Sequence, residues 1–272
     1  MPLKIDNTIL INKLIPVAAE LTKLYIEVVG TVSAGYPSEA YNYIEKVLNP
    51  NDYLCADKKT TCCLWAYDRA QTGEGIFQGD ILVINTANKP AKTGVNLYWI
   101  DDTYALARIE TRKKEKFLVF LNTEIEPLKL EENQEFRSHG TLQFVVKKFS
   151  VYNRLLAGFP EEAYQTAQTG IDFNKYLINY WETTFFLWSG GESMNNDGIN
   201  KGDLLFVDRL LDAAEHSIVV VYLSNQFTLK RIEKHADHIE LVSSNPAMPP
   251  VKVDKYEDVM RWGVLTVCIK RF

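Results

Sequence analysis

Apolar residues along this chain come in short runs closed by glycine, asparagine, aspartate or charged pairs, too brief for helices of ordinary length. Residues 61–66, 79–84, 96–100, 104–108 and 116–121 form one series, and 183–188, 203–207, 217–223, 227–232 and 238–241 form another. Turn residues such as Asp101 and Asp102 separate them, so each run reads as a strand. One short helix is expected ahead of the first series, capped by Ser38 and burying Tyr41, Ile44 and Leu48 at i, i+3 and i+7. Residues 9–15 and 21–29 are apolar enough to pack, but this N-terminal stretch is too short for an independent helix-turn-helix domain. The pattern predicts a mainly β protein with curled sheets.

The two series are copies of each other. Ala34-Gly35-Tyr36-Pro37 returns as Ala157-Gly158-Phe159-Pro160, a shift of 123 residues. With no gap, the same shift lays Leu64-Trp65 on Leu187-Trp188, Gly79-Asp80 on Gly202-Asp203, Asn122 on Asn245 and Phe149 on Phe272. The expected organisation is an N-terminal arm over 1–33, a first domain over 34–149, a linker over 150–156 and a second domain over 157–272. A linker of seven residues spans at most about 25 Å, so the copies lie side by side. An intramolecular pseudo-dimer reproducing a two-fold contact is the expected arrangement, with a head-to-tail contact as the alternative.

Composition narrows the function classes. The 272 residues are 46% hydrophobic and 24% charged, which excludes wholesale disorder, and the formal net charge of −5 argues against a nucleic-acid surface spread over the whole molecule. Local basic runs such as Arg112-Lys113-Lys114 read as strand ends or turns. The four cysteines, Cys55, Cys62, Cys63 and Cys268, have no Cys-x-x-Cys spacing, so neither a zinc framework nor a disulfide one is indicated. No run reaches the roughly 18 apolar residues of a membrane helix, and a cytoplasmic protein without membrane attachment is expected. His235 and His238, with Asp237 between them, read as a polar turn rather than a metal site, and no cofactor is expected.

Candidate chemistry centres on Ser193, in the small-residue turn Gly190-Gly191-Glu192-Ser193-Met194, and on Lys230, inside an alternating strand. A serine hydroxyl becomes a nucleophile when a neighbouring base takes its proton. Lysine serves as that base when burial lowers its pKa from about 10.4. Backbone N–H groups of the turn around Gly191, Glu192 and Met194 would supply an oxyanion hole. On the residue types alone, a turn serine and a solvent-facing strand lysine are the competing reading. In the first copy the shift puts Ala70 at the position of Ser193 and Ala107 at that of Lys230, so this chemistry is confined to the second copy.

Gly191-Glu192-Ser193-Met194, the following Gly202-Asp203-Leu204-Leu205, the strand Phe227-Thr228-Leu229-Lys230 and the upstream Ala-Gly-Phe-Pro resemble the LexA/UmuD family of self-cleaving proteins over nearly all of residues 157–272. Glu192 stands where the family usually has aspartate. The resemblance implies Ser193 as nucleophile, Lys230 as general base and Ala157–Gly158 as the scissile bond, with Ala34–Gly35 as the alternative bond. It also implies a mostly β peptidase fold and cleavage prompted by the RecA filament on single-stranded DNA. With no DNA-reading module in sight, the chain is closer to the UmuD branch. That branch implies an SOS-response accessory of an error-prone Y-family (UmuC-like) polymerase, without sequence-specific DNA binding and with homo-oligomer formation left open. A non-cleaving scaffold pseudo-dimer and a repressor-derived regulator are the alternative functions.

Overall fold

The computed structural model describes residues 14–32, 46–67, 69–87, 94–100, 103–131, 136–149, 169–223, 226–253 and 260–272. The first half contains β1 (Ile15–Pro16), β2 (Ile26–Val32), β3 (Lys46–Leu48), α1 (Pro50–Leu54), β4 (Thr61–Trp65), β5 (Ile81–Asn85), β6 (Asn96–Ile100), β7 (Thr103–Arg112), β8 (Glu115–Phe120), β9 (Leu128–Lys129) and β10 (Phe136–Lys148). The second contains α2 (Phe173–Leu177), β11 (Thr184–Ser189), β12 (Leu204–Asp208), β13 (Ile218–Leu223), β14 (Gln226–Lys234), β15 (Ile239–Val242), β16 (Val251–Val253) and β17 (Met260–Arg271). Under the 123-residue shift α1 falls on α2 and β5 on β12, end for end.

Each half is one curled antiparallel sheet. β4, β5, β10, β6, β7, β8 and β9 are hydrogen-bonded neighbours in that order, as are β11, β12, β17, β13, β14, β15 and β16. The long strands β10 and β17 each pass from one neighbour to another through register shifts, near Ser138–Gly140 and at Phe206/Val207, and these irregularities bend the sheets. Gly140 marks the first bend: a Cβ there would lie 2.3 Å from the Asn85 carbonyl oxygen.

The expected helix does not extend to Leu48. Leu48 lies in β3, while Ser38, Tyr41 and Ile44 fall outside the described residues. The helix that forms is α1, because Pro50 supplies the preset φ of a first turn and the Asn49 side chain accepts from the Asn51 N–H.

The halves are related by a two-fold contact. β10 and β17 pair antiparallel with Val146 opposite Ile269, its own counterpart in the repeat, which marks the axis. Phe149 packs against the core of the second half and Phe272 against the core of the first, tied by Phe149 N–H to Thr266 O and Phe272 N–H to Gln143 O. At the helix pair the Asn51 side chain accepts from Phe173 N–H at 2.8 Å and donates to Asp172 at 2.8 Å, while Asn174 donates to Asn49 at 2.9 Å. Between the sheets Phe173, Phe186, Phe206, Val267 and Ile269 meet Leu54, Trp65, Val83 and Val146 in one buried cluster. The symmetry breaks in the arm: β1 pairs with β4 of its own half, but β2 crosses over and runs parallel to β11.

Candidate active site

β11 delivers Ser193. Its side chains are buried on both faces, Phe186 toward the other half and Phe185 and Leu187 into the core of the second half. The loop that follows is pinched at its base, where Ser189 N–H donates to Asp203 O at 2.8 Å and Gly202 N–H to Ser189 O at 2.6 Å. Met194 plugs the core below, and Gly198 closes the turn with φ of 77°. Ser193 is left 5% exposed, in a notch nearly closed to solvent.

Lys230 comes from β14, opposite Val219 of β13, and is 8% exposed. Burial among apolar neighbours lowers its pKa from the ordinary lysine value. Its ammonium donates to Ser243 Oγ at 2.6 Å. Among the described residues no hydrogen bond joins Lys230 Nζ to Ser193 Oγ. What ties the two is the segment after β15. Ser243 holds Lys230, Ser244 Oγ accepts from Asp197 N–H at 3.2 Å, and Asn245 donates from its backbone to Ser193 O and from its side chain to Glu192 O, both at 3.1 Å. Asp197 also pairs with Arg231, next to Lys230.

Sequence reasoning named Ser193, Lys230 and the turn, and missed Ser243 and the role of Asn245. The signal for Ser243 lay in hairpin register: Ile232 opposite Leu241 and Arg231 opposite Val242 bring Ser243 beside Lys230 at the next step. The expected scissile residues Ala34, Gly35, Ala157 and Gly158 lie outside the described residues. β2, however, ends at Val32 beside Ser189, two residues before Ala34 in sequence.

The same positions in the first half are filled in. Ala107 of β7 stands opposite Phe120 of β8, the counterpart of Ser243, and Ala70 and Phe120 pack on the cluster that holds Ala107, Tyr98 and Leu118. Gln71, at the position of Met194, is wholly buried and bonded to Tyr67 N–H and Tyr104 O. The clamp is retained, Asn122 donating to Arg69 O at 3.2 Å as Asn245 does to Glu192, and so is the pinch at the loop base, with Ala66 N–H to Asp80 O at 2.8 Å and Gly79 N–H to Ala66 O at 2.7 Å.

Comparison with known proteins also finds two copies. The Peptidase S24-like family matches twice, over residues 27–143 and 150–266, the second match starting 123 residues after the first. Protein ImpA of Salmonella typhimurium is 36% identical over 125 residues, covering 44% of this chain and 81% of ImpA. Protein MucA of Escherichia coli is 34% identical over 121 residues, 42% of this chain and 77% of MucA. The LexA repressor of Anaeromyxobacter dehalogenans is 29% identical over 119 residues, 44% of this chain and 52% of the repressor. Among the described residues no helix is long and apolar enough to cross a membrane.

Proposed function

The chain belongs to the Peptidase S24-like family, and from that premise we propose that its second half is a self-cleaving serine peptidase and its first half a catalytically silent platform. Ser193 Oγ attacks the carbonyl carbon of an Ala-Gly bond while its proton passes to neutral Lys230. The tetrahedral intermediate collapses with that proton going to the departing glycine amine, and water then releases the acyl group from Ser193.

The observation that carries this reading is the segment from Ser243 to Asn245, which holds the base and the nucleophile turn at once. Each peptide unit is planar and trans, with its C=O and N–H pointing opposite ways. By fixing the carbonyls of Glu192 and Ser193, Asn245 also aims the N–H groups of Ser193 and Met194, which we assign to the developing oxyanion.

We assign the cut to Ala34–Gly35. β2 brings the chain to Ser189 of the second half, and Ala34 is at most about 7 Å of extended backbone beyond Val32. The cut would release the arm and leave the two halves joined. The resemblance to the UmuD branch supports an SOS-mutagenesis role, with the RecA filament as trigger and an error-prone polymerase as client. The bond from Lys230 to Ser243 rather than to Ser193 favours the second reading, a non-cleaving scaffold.

Mass spectrometry of the purified chain separates these readings, at neutral and alkaline pH and with activated RecA. A fragment ending at Ala34 is expected, formed faster as pH rises and Lys230 loses its proton. Ser193→Ala should slow it by about 10⁴-fold or more. A fragment ending at Ala157 would overturn the assignment of the bond, and an intact chain under every condition would leave the scaffold.

A further inference from the structure

The hairpin of β14 and β15 carries a cluster that the peptidase chemistry does not use. His235 and His238 close its turn, His235 N–H donating to His238 O at 2.9 Å. Side chains two apart share a strand face, and residues paired across the ladder share it too. Glu233 of β14 is paired with Glu240 of β15, and His235 and His238, one residue beyond the strand ends, continue that face. The sequence sets Glu240 two residues after His238 on one face; the hairpin register brings His235 across to them.

The geometry points to a metal site: we propose that His235, His238 and Glu240 bind one divalent cation of the zinc class. Their ligand atoms lie within 4.8 Å of one another. Each oxygen of Glu240 faces one imidazole, Oε2 at 3.7 Å from His235 Nε2 and Oε1 at 3.5 Å from His238 Nε2. Both distances exceed those of an N–H···O hydrogen bond. They lie near the roughly 3.3 Å donor spacing that tetrahedral zinc requires with bonds of about 2.0–2.1 Å. His238 Nδ1 is 2.7 Å from Asp237 Oδ1. That bond directs the ring proton to Nδ1 and leaves the Nε2 lone pair facing Glu240, the carboxylate–histidine pairing that orients metal-bound imidazoles.

The competing account is a polar turn of histidines and acids held by charge. It can charge only one of the two imidazoles, whose rings stack 4.5 Å apart and would repel if both were protonated, and so leaves the other without the role of a charged partner. A cation at the centre engages both neutral imidazoles and the carboxylate at once. Glu233 and Asp237 add negative charge, partly offset by Lys252, which is paired with Glu240 from β16. Two imidazoles and a carboxylate suit zinc, copper or nickel better than magnesium or calcium, and three protein donors leave one position for water.

Calorimetric titration of the whole chain with zinc chloride tests this. One zinc per chain is expected, weakened by about a hundredfold or more when His235→Ala and His238→Ala are combined, and by about tenfold in Asp237→Asn. Affinity should be unchanged when Cys62→Ser and Cys63→Ser are combined. The exposed turn lets the histidine variant fold, and its unaltered circular dichroism would verify that. Absence of zinc binding, unchanged affinity in the histidine variant, or loss in the cysteine variant instead would each overturn the site.

Discussion

Asp80 and Asp203 occupy the same position in the two halves, and their surroundings have diverged. Asp80 is buried with Lys147, whose ammonium pairs with it and lies over the Phe77 ring. In the second half Lys270, the counterpart of Lys147, reaches across and donates to Glu74 O at 2.9 Å. Asp203 accepts hydrogen bonds from the Asn200 N–H and the Cys268 thiol, Lys270 and Lys147 attract it only through space, and burial pushes its pKa up to about 6. The nucleophile sites differ in the same manner: Ala70, Ala107 and Phe120 on one side, Ser193, Lys230 and Ser243 on the other. What both halves keep is the frame, the asparagine clamp and the strand ladder. On the proposed reading, a fold loses its chemistry by filling the site with carbon while the hydrogen bonds that shape the loop stay in place.

Three substitutions sharpen or break this contrast. Asp80→Asn should destabilise the chain by about 3–5 kcal/mol, since it leaves Lys147 charged and buried without its carboxylate. Equilibrium denaturation measures it, and a neutral result would erase the difference between the halves.

Asp203→Asn should act in the opposite direction. A carboxyl whose folded-state pKa is raised favours folding while protonated, and this contribution is lost as pH rises through about 6. The substitution should therefore stabilise by up to about 3 kcal/mol near pH 8, with the gain fading toward pH 4. Denaturation curves across that range would show a sloping difference, and a flat one would mean that Asp203 is ionised at no cost.

Ser243→Ala should have the smallest effect, slowing cleavage by about tenfold, the worth of one hydrogen bond to a charged group. It should also move the alkaline rise of the rate, because the base loses its partner, whereas Ser243→Thr should restore both. An unmoved pH profile would reduce Ser243 to a packing residue.

Much of this was legible in the sequence because the chain contains its own comparison. The repeat located the sheets, and Ala70 and Ala107 set Ser193 and Lys230 apart as a pair that the first copy lacks. The misses have local physical causes. Leu48 completes a helical spacing with Tyr41 and Ile44 yet goes into a strand, while Asn49 and Pro50 just after it carry a helix start signal. Ser243 and Glu240 matter through what stands across a hairpin from them, and register is not written in the periodicity of either strand alone. The crossing of β2 to β11 depends on which sheet edge is open in the assembled pair, and no property of residues 26–32 announces it.

Val146 facing its own repeat counterpart Ile269 has an evolutionary consequence. In a dimer of identical chains every codon change is expressed on both sides of the axis, so a lost nucleophile is lost twice. Joining the partners in one polypeptide ends that obligation, and each side can drift while the other stays under selection. The joined pair also holds together at any dilution, even when a cell makes only a few copies.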